Sequence, residues 1–347
     1  MRDSSGGYVQ CILTNEGENM QLPRPRGPLS EQLVRAMREQ GEVPAASVCG
    51  GEDDLQLSLW MLYEQHYRGF EDVDPRREWD PHLIAVRLDL ETVFEERLRR
   101  LAKPVLDALD GDDLVTDLTT LANGDHGPSL ASFLHREASL EQFQEFLVHR
   151  SLYHLKESDP HAFAIPRLDG PPKVALAELQ YDEFGSGRPD ALHSTLFADA
   201  LEGAGLDRTY GAYVDVVPAY TLAVNNAMSL FGLHRRLRAA CMGHLAAFEM
   251  TSSLPCRRYA QGADRLGMDT RVFRYFDEHI EADAVHEQIA ARDICAGLVA
   301  QDQTLRDDVL LGAATCVLLD AVVGKEMLSA WQSGGSTLVD ATHLEVA

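Results

Sequence analysis

Apolar residues recur at helical spacing through most of the chain, and the strict alternation that marks a half-buried strand is scarce. Gly185 to Pro189 and Pro255 mark two of the breaks between helical runs. This pattern predicts an all-α protein of about nine to eleven helices. The runs begin near Asp54 and include Leu83–Ala102, two helices within Leu130–His154, Lys173–Phe184, Asp190–Glu202, Ala219–Ser253, Tyr259–Leu266, Val272–Leu298 and Leu305–Ala330.

Gly, Pro and polar residues are frequent in the first 53 residues. Three prolines within Met20–Pro28 disfavour helix and strand alike. A short helix is predicted at Leu29–Gln40, with Ser30 as its N-cap. We expect residues 1–53 to form a flexible N-terminal segment and residues 333–347, which begin Ser-Gly-Gly-Ser-Thr, to form a loose tail.

The apolar run Ala219–Ser253 is long enough to form a single helix that ends before Pro255. Asn225, Asn226 and Gly232 interrupt its apolar pattern. We therefore predict one long helix with a bend either at the asparagine pair or at Gly232.

Bulk composition narrows the possible partners. The formal net charge of −24 argues against nucleic-acid binding, which needs patches of Lys and Arg. No run approaches the roughly 20 apolar residues of a membrane span, and the N-terminus lacks the apolar core of a signal peptide. The six cysteines form no Cys-x-x-Cys pair, so we expect reduced thiols in a cytoplasmic protein.

Two histidines and an aspartate share one face of a predicted helix near the C-terminal end of the chain. At about 100° per residue, His279, Asp283 and His286 lie within about 60° of one another. One helix can present such nitrogen and oxygen ligands to iron, manganese or zinc. On spacing alone, a charged helix face that includes two histidines explains the pattern equally well.

Further carboxylates and a histidine can complete a metal site from other helices. Glu249 stands near the end of a long apolar helix, where a lone carboxylate is costly unless it is paired or bound to metal. Glu183 and His193 flank the Gly-Ser-Gly-Arg-Pro break, and Glu157 follows the run Leu130–His154. This mixture of imidazole and carboxylate suits a diiron centre that keeps positions open for O₂.

Several motifs, in the same order, resemble the haem-oxygenase-like diiron oxidases and oxygenases, which are also described as iron-containing redox enzymes. The resemblance covers residues 126 to 330. It is carried by Tyr-His-Leu-Lys-Glu-Ser-Asp-Pro-His (153–161), Glu-Leu-Gln-Tyr-Asp-Glu-Phe-Gly-Ser-Gly-Arg (178–188), Ser-Leu-Phe-Gly-Leu-His-Arg-Arg-Leu-Arg (229–238), Gly-His-Leu-Ala-Ala-Phe-Glu-Met-Thr-Ser-Ser (243–253) and the His-x₃-Asp-x₂-His helix.

The resemblance implies a haem-oxygenase-like helical bundle at 126–332 that holds two iron ions, and a dimer formed partly through helices at 54–125. Seven residues match the ligand pattern of the family, which usually has six. Either Glu157 or Glu183 is therefore expected to bind the iron in one oxidation state and to move away from it in another. The matching residues are Glu157, Glu183, His193, Glu249, His279, Asp283 and His286.

The function expected from the resemblance is O₂-dependent N-oxygenation of an amine or amino-acid-derived substrate. Two alternatives are C–C cleavage, desaturation or alkene formation on an amino or fatty acid, and a non-catalytic iron-binding scaffold. Arg188, Tyr220 and Asn225 are candidate substrate contacts. The two electrons for each cycle must come from an external donor such as a reductase, because no flavin or iron–sulfur motif is visible. Oxygen and imidazole ligands would also accept manganese.

Overall fold

Helices make up the regular structure of the computed structural model, which describes residues 20–39, 41–111, 113–125 and 127–339 and only the backbone of residues 281–284. No strand occurs among these residues, so the predicted all-α class is confirmed. None of the described helices is long and apolar enough to span a membrane. The helices are α1 (Pro28–Glu39), α2 (Glu52–Glu64), α3 (Pro81–Leu106), α4 (Leu114–Ala122), α5 (Leu130–Arg136), α6 (Leu140–His154), α7 (Asp159–Ala162), α8 (Gly170–Glu183), α9 (His193–Gly203), α10 (Ala219–Leu233), α11 (Arg238–Met250), α12 (Ser253–Arg265), α13 (Thr270–Gln288), α14 (Gly297–Gln301) and α15 (Arg306–Gln332).

Helices α11 and α15 form the most closely packed pair of the bundle. Glycines allow this approach, because a side chain on Gly243 would overlap the carbonyl oxygen of Val309 and one on Gly312 would overlap that of Ala240. Around this pair, α12 packs against α13, α9 against α13 and α8 against the π-helical stretch (Ile289–Ala296) that links α13 to α14.

The N-terminal helices share the core of the bundle. Helix α2 packs on α10, α3 packs on α15, and one cluster of buried side chains runs through all four helices. Leu29 and Leu33 of α1 are fully buried in this cluster. The expectation of a flexible segment at 1–53 is therefore wrong for α1, whereas residues 1–19 lie outside the described part of the chain.

The start of α1 also differs from the prediction. The helix begins at Pro28, so Ser30 lies in its first turn and is not the N-cap. The carboxylate of Asp54, on α2, accepts hydrogen bonds from the amides of Leu29 (3.0 Å) and Ser30 (2.7 Å). A side chain from a neighbouring helix thus satisfies amide donors that a local cap would otherwise serve.

The predicted long helix Ala219–Ser253 is two helices. The backbone is extended at His234 (φ −102°, ψ 116°), which separates α10 from α11 close to the predicted bend at Gly232. The Arg167 guanidinium binds the carbonyl oxygens of Gly232 and Leu233, and the His234 imidazole lies 2.8 Å from Glu91. These contacts satisfy the end of α10 and stabilise the break.

The described part of the predicted loose tail is held against the bundle. The Glu145 carboxylate accepts hydrogen bonds from the Ser336 hydroxyl (2.6 Å), the Thr337 amide (2.9 Å) and the Trp331 indole (2.8 Å). The Val339 amide donates to the carbonyl oxygen of Val216 at 2.8 Å. The expectation of a loose tail is thus wrong for residues 333–339, and residues 340–347 lie outside the described chain.

Candidate metal centre

Six of the predicted ligands project into one buried region from five parts of the bundle. Each of these side chains belongs to a residue at most 5% exposed. The helices and turns place them as follows: Glu157 in the turn between α6 and α7, Glu183 at the end of α8, His193 at the start of α9, Glu249 near the end of α11, and His279 and His286 on α13.

Glu157, His193 and His279 form the first group, and one ligand atom of each lies within 4.8 Å of the others. The His279 Nδ1–H donates to the carbonyl oxygen of Tyr275 at 2.8 Å, so Nε2 is the ring nitrogen that carries the acceptor lone pair. Nε2 lies 3.5 Å from Glu157 Oε1, so nitrogen and oxygen face the same small volume.

Glu183, Glu249 and His286 form the second group. His286 Nδ1 lies 3.4 Å from Glu183 Oε1 and 3.5 Å from Glu249 Oε2. On the other side of the ring, Nε2 lies 3.5 Å from Asp182 Oδ2. A carboxylate behind a metal-facing imidazole fixes the ring orientation and its tautomer.

Glu183 connects the two groups. Its Oε1 faces His286 of the second group, whereas its Oε2 lies 3.1 Å from Nδ1 of His193 in the first group. Glu183 thus offers one oxygen to each of the two ligand groups.

The electrostatics of the centre require positive charge. Burial disfavours the carboxylate of Glu183, but His193 and His286 more than offset this and hold its pKa below the usual range. Burial opposes protonation of His286, yet Glu183 and Glu249 raise its pKa to about 11. Burial raises the pKa of Glu249, and His286 offsets this only in part. Either a proton or a metal cation can supply the charge.

The donor set fits metal ions. The Nδ1 atoms of His193 and His286 are buried and make no hydrogen bond with any described residue, although each faces a carboxylate at a distance of 3.1–3.5 Å. Buried polar atoms are rarely left unsatisfied, and a cation between nitrogen and oxygen would satisfy both. Imidazole and carboxylate ligands suit iron and manganese.

Both alternatives for the movable ligand, Glu157 and Glu183, belong to the centre, one in each group. The side chain of the seventh predicted ligand, Asp283, lies outside the described residues. Its assignment as a ligand stays a prediction.

A glycine-rich turn brings Glu183 and His193 together. The backbone reverses at Gly185 with a φ of +80°, and a side chain there would lie 2.6 Å from the Leu192 amide nitrogen. Ser186 also has a positive φ (51°), and its hydroxyl donates to Asp182 at 2.9 Å. The turn therefore needs glycine at position 185 to seat Glu183 beside His193.

A cavity of about 110 Å³ adjoins the first group and is lined by both Glu157 and His279. Its lining comes from α5, α6, α9, α10, α11, α12, α13 and α15. Aromatic and aliphatic side chains such as Phe197, Phe248 and Met228 form much of its wall. A separate depression of about 300 Å³ is lined by His193 and His286.

The structure places the three candidate substrate contacts in different surroundings. Asn225 lines the inner cavity, and Arg188 lines the depression beside His193. Tyr220 stacks on His149, with ring centroids 5.9 Å apart, and is absent from the described lining of both spaces. Substrate binding by these residues stays a prediction.

Tyr275 is a neighbour of the centre that sequence reasoning missed. Its hydroxyl lies 3.0 Å and 2.9 Å from the two oxygens of Glu157, and the residue is 2% exposed. Tyr275 precedes His279 by four residues, so it shares the metal-facing side of α13. The four-residue spacing from His279 is the feature of the sequence that indicates this position for Tyr275.

Lys156 is a second residue that the motifs did not single out. It precedes Glu157, and its ammonium lies 3.0 Å from the fully buried carboxylate of Glu64 on α2. The Tyr210 hydroxyl donates to the same carboxylate at 2.7 Å. This ion pair ties α2 to the turn that carries Glu157.

A family of known proteins contains these elements. The sequence profile of the family described as iron-containing redox enzymes matches residues 144–321, just over half of the 347 residues. The chain belongs to this family. The matched region contains all six placed ligands of the centre, and the resemblance seen in the motifs is confirmed.

One curated relative of this iron-containing redox enzyme is a nitrosourea synthase from Streptomyces achromogenes subsp. streptozoticus. The two sequences are 27% identical over 188 residues, which is 54% of this chain and 40% of the relative. The chain thus spans about two fifths of the length of the relative that it matches.

Proposed function

We propose that this iron-containing redox enzyme is a diiron oxygenase that uses O₂ to oxidise the nitrogen of an amine or an amino-acid-derived substrate. The position of Glu183, with one oxygen toward His193 and the other toward His286, is the observation that carries the proposal. A single metal ion would need only one of the two ligand groups.

The ligand assignment follows from the two groups. Glu157, His193 and His279 would hold one iron ion, Glu249 and His286 would hold the other, and Glu183 would bridge them. When bound, the iron pair supplies O₂ activation, with two electrons from an external donor such as a reductase.

Residues of the chain hold the metal ligands in position and exclude water from the site. The Tyr275 hydroxyl donates to Glu157 and the Tyr275 carbonyl oxygen accepts from His279, so one residue holds two ligands of the first group. The aromatic wall of the adjoining cavity excludes water from the side that Glu157 and His279 face. Such exclusion strengthens the electrostatic interactions within a site and protects reactive species from side reactions.

Oxidation at nitrogen is our first choice of reaction. The matched relative is named as a nitrosourea synthase, and a nitroso group contains nitrogen bonded to oxygen. An amine or an amino-acid-derived nitrogen with a free lone pair is the corresponding acceptor.

The cavity wall favours a second candidate, oxidation at carbon. Apolar residues such as Phe146, Phe197, Val323 and Met327 line much of the space beside Glu157. They suit an aliphatic chain, for which desaturation, C–C cleavage or alkene formation is the expected outcome.

A substrate panel under ¹⁸O₂ tests the proposal. Protein loaded with Fe(II) is given reductant and a set of amines, amino acids and fatty acids, and the products are identified by mass spectrometry. A product with ¹⁸O bonded to nitrogen supports N-oxygenation, whereas loss of CO₂ or formaldehyde supports oxidation at carbon.

The control for the panel is His286→Ala, which should form neither kind of product. No turnover of any compound by protein that holds two iron ions would contradict the proposal and would favour the non-catalytic scaffold.

A further inference from the structure

The cavity beside the first ligand group has a polar patch in its wall, formed by residues other than Glu157 and His279. The patch is formed by Thr221 and Asn225, one turn apart on α10, and by His149 of α6. Much of the remaining wall is aromatic and aliphatic. A ligand in this cavity therefore meets both apolar side chains and a polar patch.

The side chain of Asn225 has a hydrogen-bond acceptor that no described residue satisfies. Its Nδ2 donates to the carbonyl oxygen of Thr221 at 3.2 Å, which fixes the orientation of the amide. Its Oδ1 is buried and has no hydrogen-bond partner among the described residues, and Asn225 is 4% exposed. An unsatisfied buried acceptor is unfavourable, so a ligand that donates a hydrogen bond here is favoured.

The other polar groups of the patch are already engaged. His149 Nδ1 lies 2.6 Å from the Thr221 hydroxyl, and Nε2 lies 2.8 Å from the Thr337 hydroxyl. Burial lowers the pKa of His149 to about 3, so this ring is uncharged at neutral pH. It therefore provides no positive charge for an anionic ligand.

The charged residues that line the cavity away from the metal ligands are also paired. The Arg150 guanidinium lies 3.0 Å from Asp320, and both residues line the cavity. A carboxylate on the ligand would have to displace Asp320 from Arg150, and an ammonium group would have to displace Arg150 from Asp320.

We propose that the cavity binds a molecule with an apolar body and an uncharged N–H or O–H donor that bonds to Asn225 Oδ1. This inference rests on the proposed function, since it places the substrate beside Glu157 and His279. It narrows the substrate to molecules in which the group that meets Asn225 is an alcohol, an amide or a comparable neutral donor.

The inference can be tested by comparing the affinities of matched ligands, with no need for turnover. Hexan-1-ol and 1-methoxypentane are isomers that differ in the hydroxyl donor, and hexanoate replaces the donor with a carboxylate. Dissociation constants are measured by calorimetry on the full-length protein, metal-free and loaded with Fe(II) under argon. We expect the alcohol to bind about 5- to 100-fold more tightly than the ether.

Variants assign the preference to one side chain. Asn225→Leu should bind the alcohol and the ether equally. Met228→Leu changes another residue of the cavity wall with little change in volume and should keep the preference. If Asn225→Leu does not fold, the comparison of isomers on the unaltered protein still decides.

The inference is overturned if the unaltered protein binds neither isomer, binds both equally or binds hexanoate most tightly. It is also overturned if folded Asn225→Leu keeps the preference. Iron content measured on the same samples separates these outcomes from failure of the diiron proposal, because the metal-free measurement requires only the cavity.

Discussion

The buried ion pair between Glu64 and Lys156 gives a prediction about what holds the turn that carries Glu157. The side chains are 0% and 2% exposed, and their charged atoms are 3.0 Å apart. The change is Lys156→Met, which keeps the length of the side chain and removes its charge. It leaves the Glu64 carboxylate buried, with hydrogen bonds from the Tyr210 hydroxyl and the Arg68 amide but no ammonium.

Removal of one partner from such a buried pair costs about 3–5 kcal/mol of unfolding free energy. The unfolding entropy of about 2.1 cal/mol/K per residue amounts to about 0.7 kcal/mol/K for 347 residues. We therefore expect the melting temperature of Lys156→Met to fall by about 4–7 °C. The double variant Glu64→Leu/Lys156→Met removes both charges and should recover most of that loss.

Calorimetry of the metal-free protein measures these melting temperatures, and Arg35→Met is the matched control. Arg35 lies 3.2 Å from Glu31, but both side chains are more than half exposed, so this pair should contribute less than about 1 kcal/mol. A shift for Lys156→Met as small as that of the control would refute the reasoning. So would a double variant that is as unstable as the single one.

Three further predictions concern the surroundings of the centre. Gly185→Ala should weaken iron binding, because the new side chain would lie 2.6 Å from a backbone nitrogen. Gly205→Ala is the control, because Gly205 has a similar φ of +74° but open space around it, and this variant should bind iron normally. Metal analysis after dialysis compares the two variants. Tyr275→Phe removes the hydroxyl contacts to Glu157 and should lower iron affinity about 10- to 100-fold with unchanged helicity, measured by competition with a chelator and by circular dichroism. Burial lowers the pKa of His149 from 6.5 to about 3, so below pH 6.5 this histidine is protonated in the unfolded chain but stays neutral in the folded chain. As the pH falls below 6.5, this residue should therefore lower the free energy of unfolding by about 1.4 kcal/mol per pH unit. Urea unfolding at several pH values measures the effect, which should be absent in His149→Gln.

Much of the helical pattern could be predicted from the sequence, because apolar spacing along one chain decides which segments form amphipathic helices. The break at His234 could not, because the groups that stabilise it come from distant positions: Glu91 on α3 and Arg167 before α8. The same holds for the start of α1, where Asp54 of α2 binds the first amides. Contacts between helices override the local preference in both places.

The ligand types could be predicted, since buried Glu and His residues at motif spacing are typical of metal centres. Their division into two groups could not. It depends on the turn at Gly185, which directs the two oxygens of Glu183 toward different histidines. The cavity could not be predicted either, because its wall comes from eight helices that are spread along the chain from α5 to α15.

Iron stoichiometry tests the central claim most directly. Protein loaded anaerobically with excess Fe(II) and then desalted is analysed by mass spectrometry for metal per chain. The account predicts two iron ions in the unaltered protein, at most one in Glu183→Ala, and two in His234→Ala, whose ring contacts Glu91 instead of the centre. Saturation at one iron in the unaltered protein, or two irons retained in Glu183→Ala, would contradict it.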